Sequence, residues 1–103
     1  MKNASDLKAL TKSRELLLQE CITNTADLFY KVMENKAEAG FNEHTDDLLS
    51  YFTMAVKKDE YSHVVGRITE LFSESGYEVT LPFKDRKGVD YSDTVIRVSW
   101  SKA

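Results

Sequence analysis

The sequence predicts an α+β fold: a long N-terminal helix followed by a β-α-β-β unit, its small sheet of about three strands carrying helices on one face. Three observations lead there. Apolar residues keep one helical phase through the first third of the chain, from Ser5 to Ala39. The stretch Asp59–Leu81 reads as an amphipathic helix, a glycine stop and a strand. The segment Asp93–Trp100 alternates, with Ile96, Val98 and Trp100 on one face and Val95, Arg97 and Ser99 on the other, the period of a half-buried strand.

In the first helix, Leu7, Leu10, Leu17, Leu18, Cys21, Ile22, Leu28, Phe29, Val32 and Met33 fall on one side at 100° per residue. Asn3 or Ser5 suits the N-cap and Gly40 the residue after the last turn. Thr23-Asn24-Thr25 are poor helix formers, but the stripe does not shift phase across them, so one helix over residues 5–39 is expected. Some 35 residues at 1.5 Å each make a rod of roughly 52 Å, whereas a compact domain of this size has a radius of gyration of about 13 Å. The N-terminal half of the helix therefore outruns the shelter of its own domain. Leu7, Leu10, Leu17, Leu18 and Ile22 are expected to pair with a second copy of the chain.

Phe41–Asp47 (FNEHTDD) is polar and reads as a loop. Leu48–Val56 (LLSYFTMAV) suits either a helix capped by Thr45 or a strand facing Phe52, Met54 and Val56 inward. The strand is favoured, because it makes a β-α-β unit with the helix and strand that follow. In that helix Tyr61, Val64, Val65, Ile68, Leu71 and Phe72 share one face, Asp59 suits the cap and Gly76 the left-handed stop. Tyr77, Val79 and Leu81 then alternate with Glu78 and Thr80. Pro82 ends this strand or marks an edge, Lys84–Tyr91 makes a hairpin loop, and Asp93–Trp100 closes the sheet.

With 103 residues, 42% hydrophobic and 30% charged, the chain is expected to be one domain, with residues 40–103 its compact part. The net charge of −3 argues against a general nucleic-acid binder. The single cysteine, Cys21, forms no internal disulfide. The opening MKNASDLKAL lacks the apolar core of a signal peptide and no run is long enough to span a membrane, so the cytoplasm is the expected compartment.

Chemistry-bearing motifs are missing: no phosphate-binding glycine pattern, no Cys-x-x-Cys and no nucleophile elbow occurs. No catalytic residue, cofactor or metal is therefore expected. His44, Asp46 and Asp47 with a distant His63 are the nearest thing to a ligand cluster, outweighed by a solvated acidic loop. Cys21 lies on the apolar stripe, where a structural thiol is expected. Tyr51, Tyr61, Tyr77, Tyr91 and Trp100 invite base stacking, but several fall on core faces. Lys84, Arg86 and Lys87 form a basic tip able to meet phosphate. Ser62, Gly66, Thr69 and Ser73 make a small-residue stripe opposite the apolar face of the second helix, open to the close approach of a partner.

Ala37-Glu38-Ala39-Gly40 closing one helix, Ser75-Gly76-Tyr77-Glu78-Val79 closing another, and Val98-Ser99-Trp100 ending the last strand resemble a pattern in small accessory proteins of tailed bacteriophages. The resemblance covers roughly residues 28–100 and implies a viral, non-enzymatic protein that binds a host or viral macromolecule in the host cytoplasm. It supplies no active site. The alternative expectation is a small-ligand or nucleotide binder with a pocket between subunits and Lys84–Lys87 against phosphate.

Overall fold

The computed structural model describes residues 3–11, 13–81 and 94–102. Its elements run α1 (Ala4–Leu10), α2 (Arg14–Glu38), β1 (Glu43–Asp47), α3 (Tyr61–Glu74), β2 (Glu78–Thr80) and β3 (Val95–Ser99), with short 3-10 turns at Leu48–Tyr51 and Lys58–Glu60. The fold is α+β, as expected, with the helices on one face of a three-stranded sheet.

The N-terminal helix is two helices rather than one. Asn3 caps α1, its Oδ1 accepting from the Asp6 N–H at 3.0 Å while the Asp6 carboxylate accepts from Asn3 N–H at 3.4 Å. At Thr11 the backbone turns extended (φ −71°, ψ 118°), and its hydroxyl donates back to the Leu7 carbonyl at 2.7 Å. Ser13 restarts the helix from an extended conformation (φ −56°, ψ 133°). The suspected weak point at Thr23–Thr25 holds. Thr25 is fully buried and its hydroxyl donates to the Tyr51 carbonyl at 3.3 Å, so tertiary contact overrides poor propensity.

The strand expected over Leu48–Val56 lies one segment earlier, at Glu43–Asp47, where a loop was expected. Residues 48–51 form a 3-10 turn instead, begun by Asp47, whose Oδ1 accepts from Leu49 N–H at 3.0 Å and from the Thr94 hydroxyl at 2.5 Å. The sheet order is β1-β3-β2. β3 pairs antiparallel with both neighbours, Glu43 and Glu78 each standing opposite Ser99. β1 and β2 are therefore parallel to each other but separated by β3, a split form of the expected β-α-β unit.

Helix α3 begins after a 3-10 turn, so Asp59 is not its cap. Glu60 takes that place, and its carboxylate accepts from the Lys57 N–H at 2.9 Å. Gly40 (φ 91°) and Gly76 (φ 92°) both stop their helices in the left-handed region, where a side chain would be strained. The core joins Ile22, Phe29 and Met33 of α2, Leu48 of the 3-10 turn after β1, Val64, Val65, Ile68 and Phe72 of α3, and Ile96 and Val98 of β3.

Helices α2 and α3 run parallel. Near their starts Arg14 grips the Glu60 carboxylate with Nε at 3.0 Å and one terminal nitrogen at 2.5 Å, and also donates to the Ala55 carbonyl at 3.1 Å. Further along α2, Phe29 meets Phe72 in the last turn of α3, with ring centroids 5.7 Å apart. Ala37 in the last turn of α2 and Ser75 and Gly76, which close α3, meet at one groove.

Candidate functional site

The groove has a volume of about 370 Å³. Helix α2 contributes Tyr30, Met33, Glu34 and Ala37; the α3–β2 turn contributes Ser75, Gly76 and Tyr77; Trp100, just past β3, closes the lining. The backbone dictates this arrangement. Gly76 N–H donates to the Ser73 carbonyl at 3.1 Å and Tyr77 N–H to the Phe72 carbonyl at 3.1 Å, a left-handed cap that swings Tyr77 beside the end of its own helix. Tyr77 then stacks edge-on against Phe72, centroids 5.7 Å apart and planes at 90°. Trp100 is held by its N–H donating to the Asn42 carbonyl at 3.0 Å. The Glu34 carboxylate, and after it Tyr77, raise the Tyr30 phenol above its ordinary value of 10.

A second polar constellation lies under β1. His44 and Asp46 point inward from that strand, and Tyr51 from the 3-10 turn joins them. The Tyr51 hydroxyl donates to Asp46 Oδ2 at 2.7 Å and stands 3.3 Å from His44 Nε2, which is 3.6 Å from the same carboxylate oxygen. Phe29 lies against His44 at 4.9 Å and Tyr51 at 5.3 Å between ring centroids. Burial lowers the His44 pKa below its ordinary 6.5, with the Asp46 charge opposing and Lys36 adding to the shift. Burial and the bond to Asp46 push the Tyr51 phenol well above its usual range. For Asp46, burial alone would raise the pKa. Hydrogen bonds from Tyr51 and the Asp47 N–H, with the charges of His44 and Lys36, outweigh it and hold the carboxyl below its usual value. With the phenol protonated and the Asp46 carboxyl ionised, the three side chains form one hydrogen-bonded network.

Comparison with known protein families, characterised proteins and solved structures finds no match.

The sequence-predicted residues scatter. Ile22, expected at a subunit interface, is fully buried in its own core, and Leu18 packs half-buried against that core. Leu17 is half-buried, whereas Leu7 and Leu10 are 58% and 60% exposed. Along the small-residue stripe Ser62, Gly66 and Ser73 are exposed and open space surrounds Gly66; the Thr69 hydroxyl is buried and has no hydrogen-bond partner among the described residues. Lys84, Arg86, Lys87 and Tyr91, with the hairpin expected there, lie outside the described residues. His63 is exposed on α3, away from the β1 network, and among the described residues no three His, Cys, Asp or Glu side chains gather as a metal site. The Cys21 thiol is buried, 3.6 Å from the Thr25 hydroxyl. Sequence reasoning missed Tyr30, Glu34 and Ala37 as groove residues. A signal was present: Tyr30 and Glu34, four apart, share one helical flank beside the apolar stripe, upstream of a glycine stop.

Proposed function

We propose that this is a non-enzymatic binding protein, acting on a macromolecular partner and working as a homo-oligomer joined through its N-terminal arm. The exposure of that arm carries the reading. Helix α1 buries no residue, and Leu7, Leu10 and Leu16 are 58%, 60% and 51% exposed. The Cα radius of gyration is 16.5 Å, above the roughly 13 Å of a compact domain this long. Burying a leucine contributes about 1.5–3 kcal/mol, so a pair of such arms can offset the entropic cost of association. Because Ile22 belongs to its own core, the pairing surface is the segment before it. The net charge of −3 favours a protein over a nucleic acid as partner. Among the described residues no helix is long and apolar enough to cross a membrane. The more specific reading, a tailed-phage accessory protein modulating a host component in the host cytoplasm, rests on the resemblance at Ala37–Gly40, Ser75–Val79 and Val98–Trp100.

Sedimentation velocity tests the arm. At tens of micromolar the wild type is expected to sediment as an oligomer, and the double variant Leu7→Glu/Leu10→Glu as a monomer with unchanged circular dichroism. A monomeric wild type overturns the reading, and an oligomeric double variant moves the interface elsewhere. A second reading, small-ligand binding, is favoured by one observation, the aromatic groove, which is built within one chain rather than between subunits.

A further inference from the structure

The groove where α2 and α3 end has one electrical character. Both helices bring their C-terminal, partially negative ends to it, α2 through Ala37 and α3 through Ser75 and Gly76. Tyr30, Tyr77 and Trp100 supply aromatic surface, and Glu34 a carboxylate. No lysine, arginine or histidine is among the described lining residues. Among the described residues, Lys36 sits 5.0 Å above the Phe41 ring and Lys102 pairs with Glu78 at 3.6 Å. Nor does the turn offer donors to an anion, since the N–H groups of Ser75, Gly76 and Tyr77 all bond to carbonyls of α3.

Aromatic rings around a carboxylate select cations, and the rest of the lining narrows the kind. A primary ammonium brings three N–H donors that need acceptors. Among the described lining residues Glu34 is the one carboxylate, and Met33 and Ala37 add apolar surface. An alkylated ammonium has no N–H to satisfy, is weakly hydrated and is held by ring quadrupoles. The cavity of about 370 Å³ falls within the roughly 300–1,000 Å³ of small-molecule sites. We propose that the groove formed by Tyr30, Glu34, Tyr77 and Trp100 binds a quaternary ammonium headgroup. This site lies apart from the N-terminal arm and stands whether or not the chain associates.

Trp100 is the only tryptophan, so its fluorescence reports from inside the site. At constant ionic strength, choline chloride is expected to change that emission saturably. The neutral carbon isostere 3,3-dimethyl-1-butanol should bind about tenfold more weakly, the scale of a partly desolvated cation–π contact. Glu34→Gln should weaken choline binding by about threefold, and Tyr30→Leu by a comparable factor. Both residues are exposed, and unchanged circular dichroism verifies that the variants fold. A peptide carrying trimethyllysine binding more tightly than choline supports the site and makes its ligand a protein side chain; the reverse order supports it with a small-molecule ligand. No saturable response to either probe overturns the proposal. So does equal affinity for the neutral isostere, or wild-type affinity in both variants.

Discussion

β1 and β3 lie side by side through five paired positions, yet they enter the protein by opposite chemistry. β3 turns Ile96 and Val98, both fully buried, toward the helices. β1 turns His44, 8% exposed, and Asp46 in the same direction. One strand is held by removing hydrocarbon from water. The other is held by a closed set of hydrogen bonds with Tyr51 under a cover of Phe29. A strand needs partners for its backbone and satisfaction for its side chains, and the second condition can be met without apolar residues.

The sharpest way to break the comparison is to truncate each side in turn. Ile96→Ala should destabilise by about 2–5 kcal/mol in chemical denaturation, because the cavity sits between rigid elements. Tyr51→Phe should cost less, about 1–3 kcal/mol, through the lost donor to the half-buried Asp46 carboxylate. Equal losses would mean that the β1 network carries as much of the fold as the apolar layer does.

Acid sharpens the contrast further. His44 has its pKa lowered from 6.5 in the folded chain, so the unfolded state takes up a proton first as pH falls. Its neutral form contributes fully above pH 6.5, and that contribution declines as pH drops below 6.5 toward the depressed folded value. Asp46, lowered from 3.8, adds a second loss beginning below pH 3.8. Denaturation midpoints measured across this range should fall with pH in the wild type and be flatter below pH 6.5 in His44→Gln. An unchanged slope in that variant would remove His44 from the cause.

The smallest effect expected is at the helix stops. Gly76→Ala should cost about 1 kcal/mol, from left-handed strain alone, since an added Cβ meets nothing within 4 Å. A neutral result by the same denaturation assay would mean that the turn relaxes out of its positive φ.

These contrasts also explain what the sequence could show. The α3–Gly76–β2 run was legible because Val64, Val65, Ile68 and Phe72 repeat at helical spacing and Gly76 carries the stop. β1 was not, because His44 becomes buried and Asp46 half-buried only once Tyr51 and Phe29 lie against them, and no local pattern announces a network. The interruption between Leu10 and Arg14 was hidden for a related reason. No glycine or proline marks it, and Thr11 makes the same hydroxyl bond to the carbonyl four residues back that Thr23 makes inside unbroken α2, while Thr25, as poor a helix former, is held in place by Tyr51. The groove escaped notice because its aromatics lie far apart in the chain, and only the parallel course of α2 and α3 brings Tyr30 to Tyr77.

The position of β3 also governs the order in which the molecule can be made. It is central in the sheet but follows both of its neighbours along the chain. During synthesis β1 and β2 emerge with no strand to pair with, while α2 and α3 can already pack through Phe29 and Phe72. Over that interval β1 is a bare edge, the kind that joins other chains into aggregates. Glu43, Asp46 and Asp47 put three carboxylates within its five residues, so two such edges repel each other until β3 arrives between them and the sheet closes.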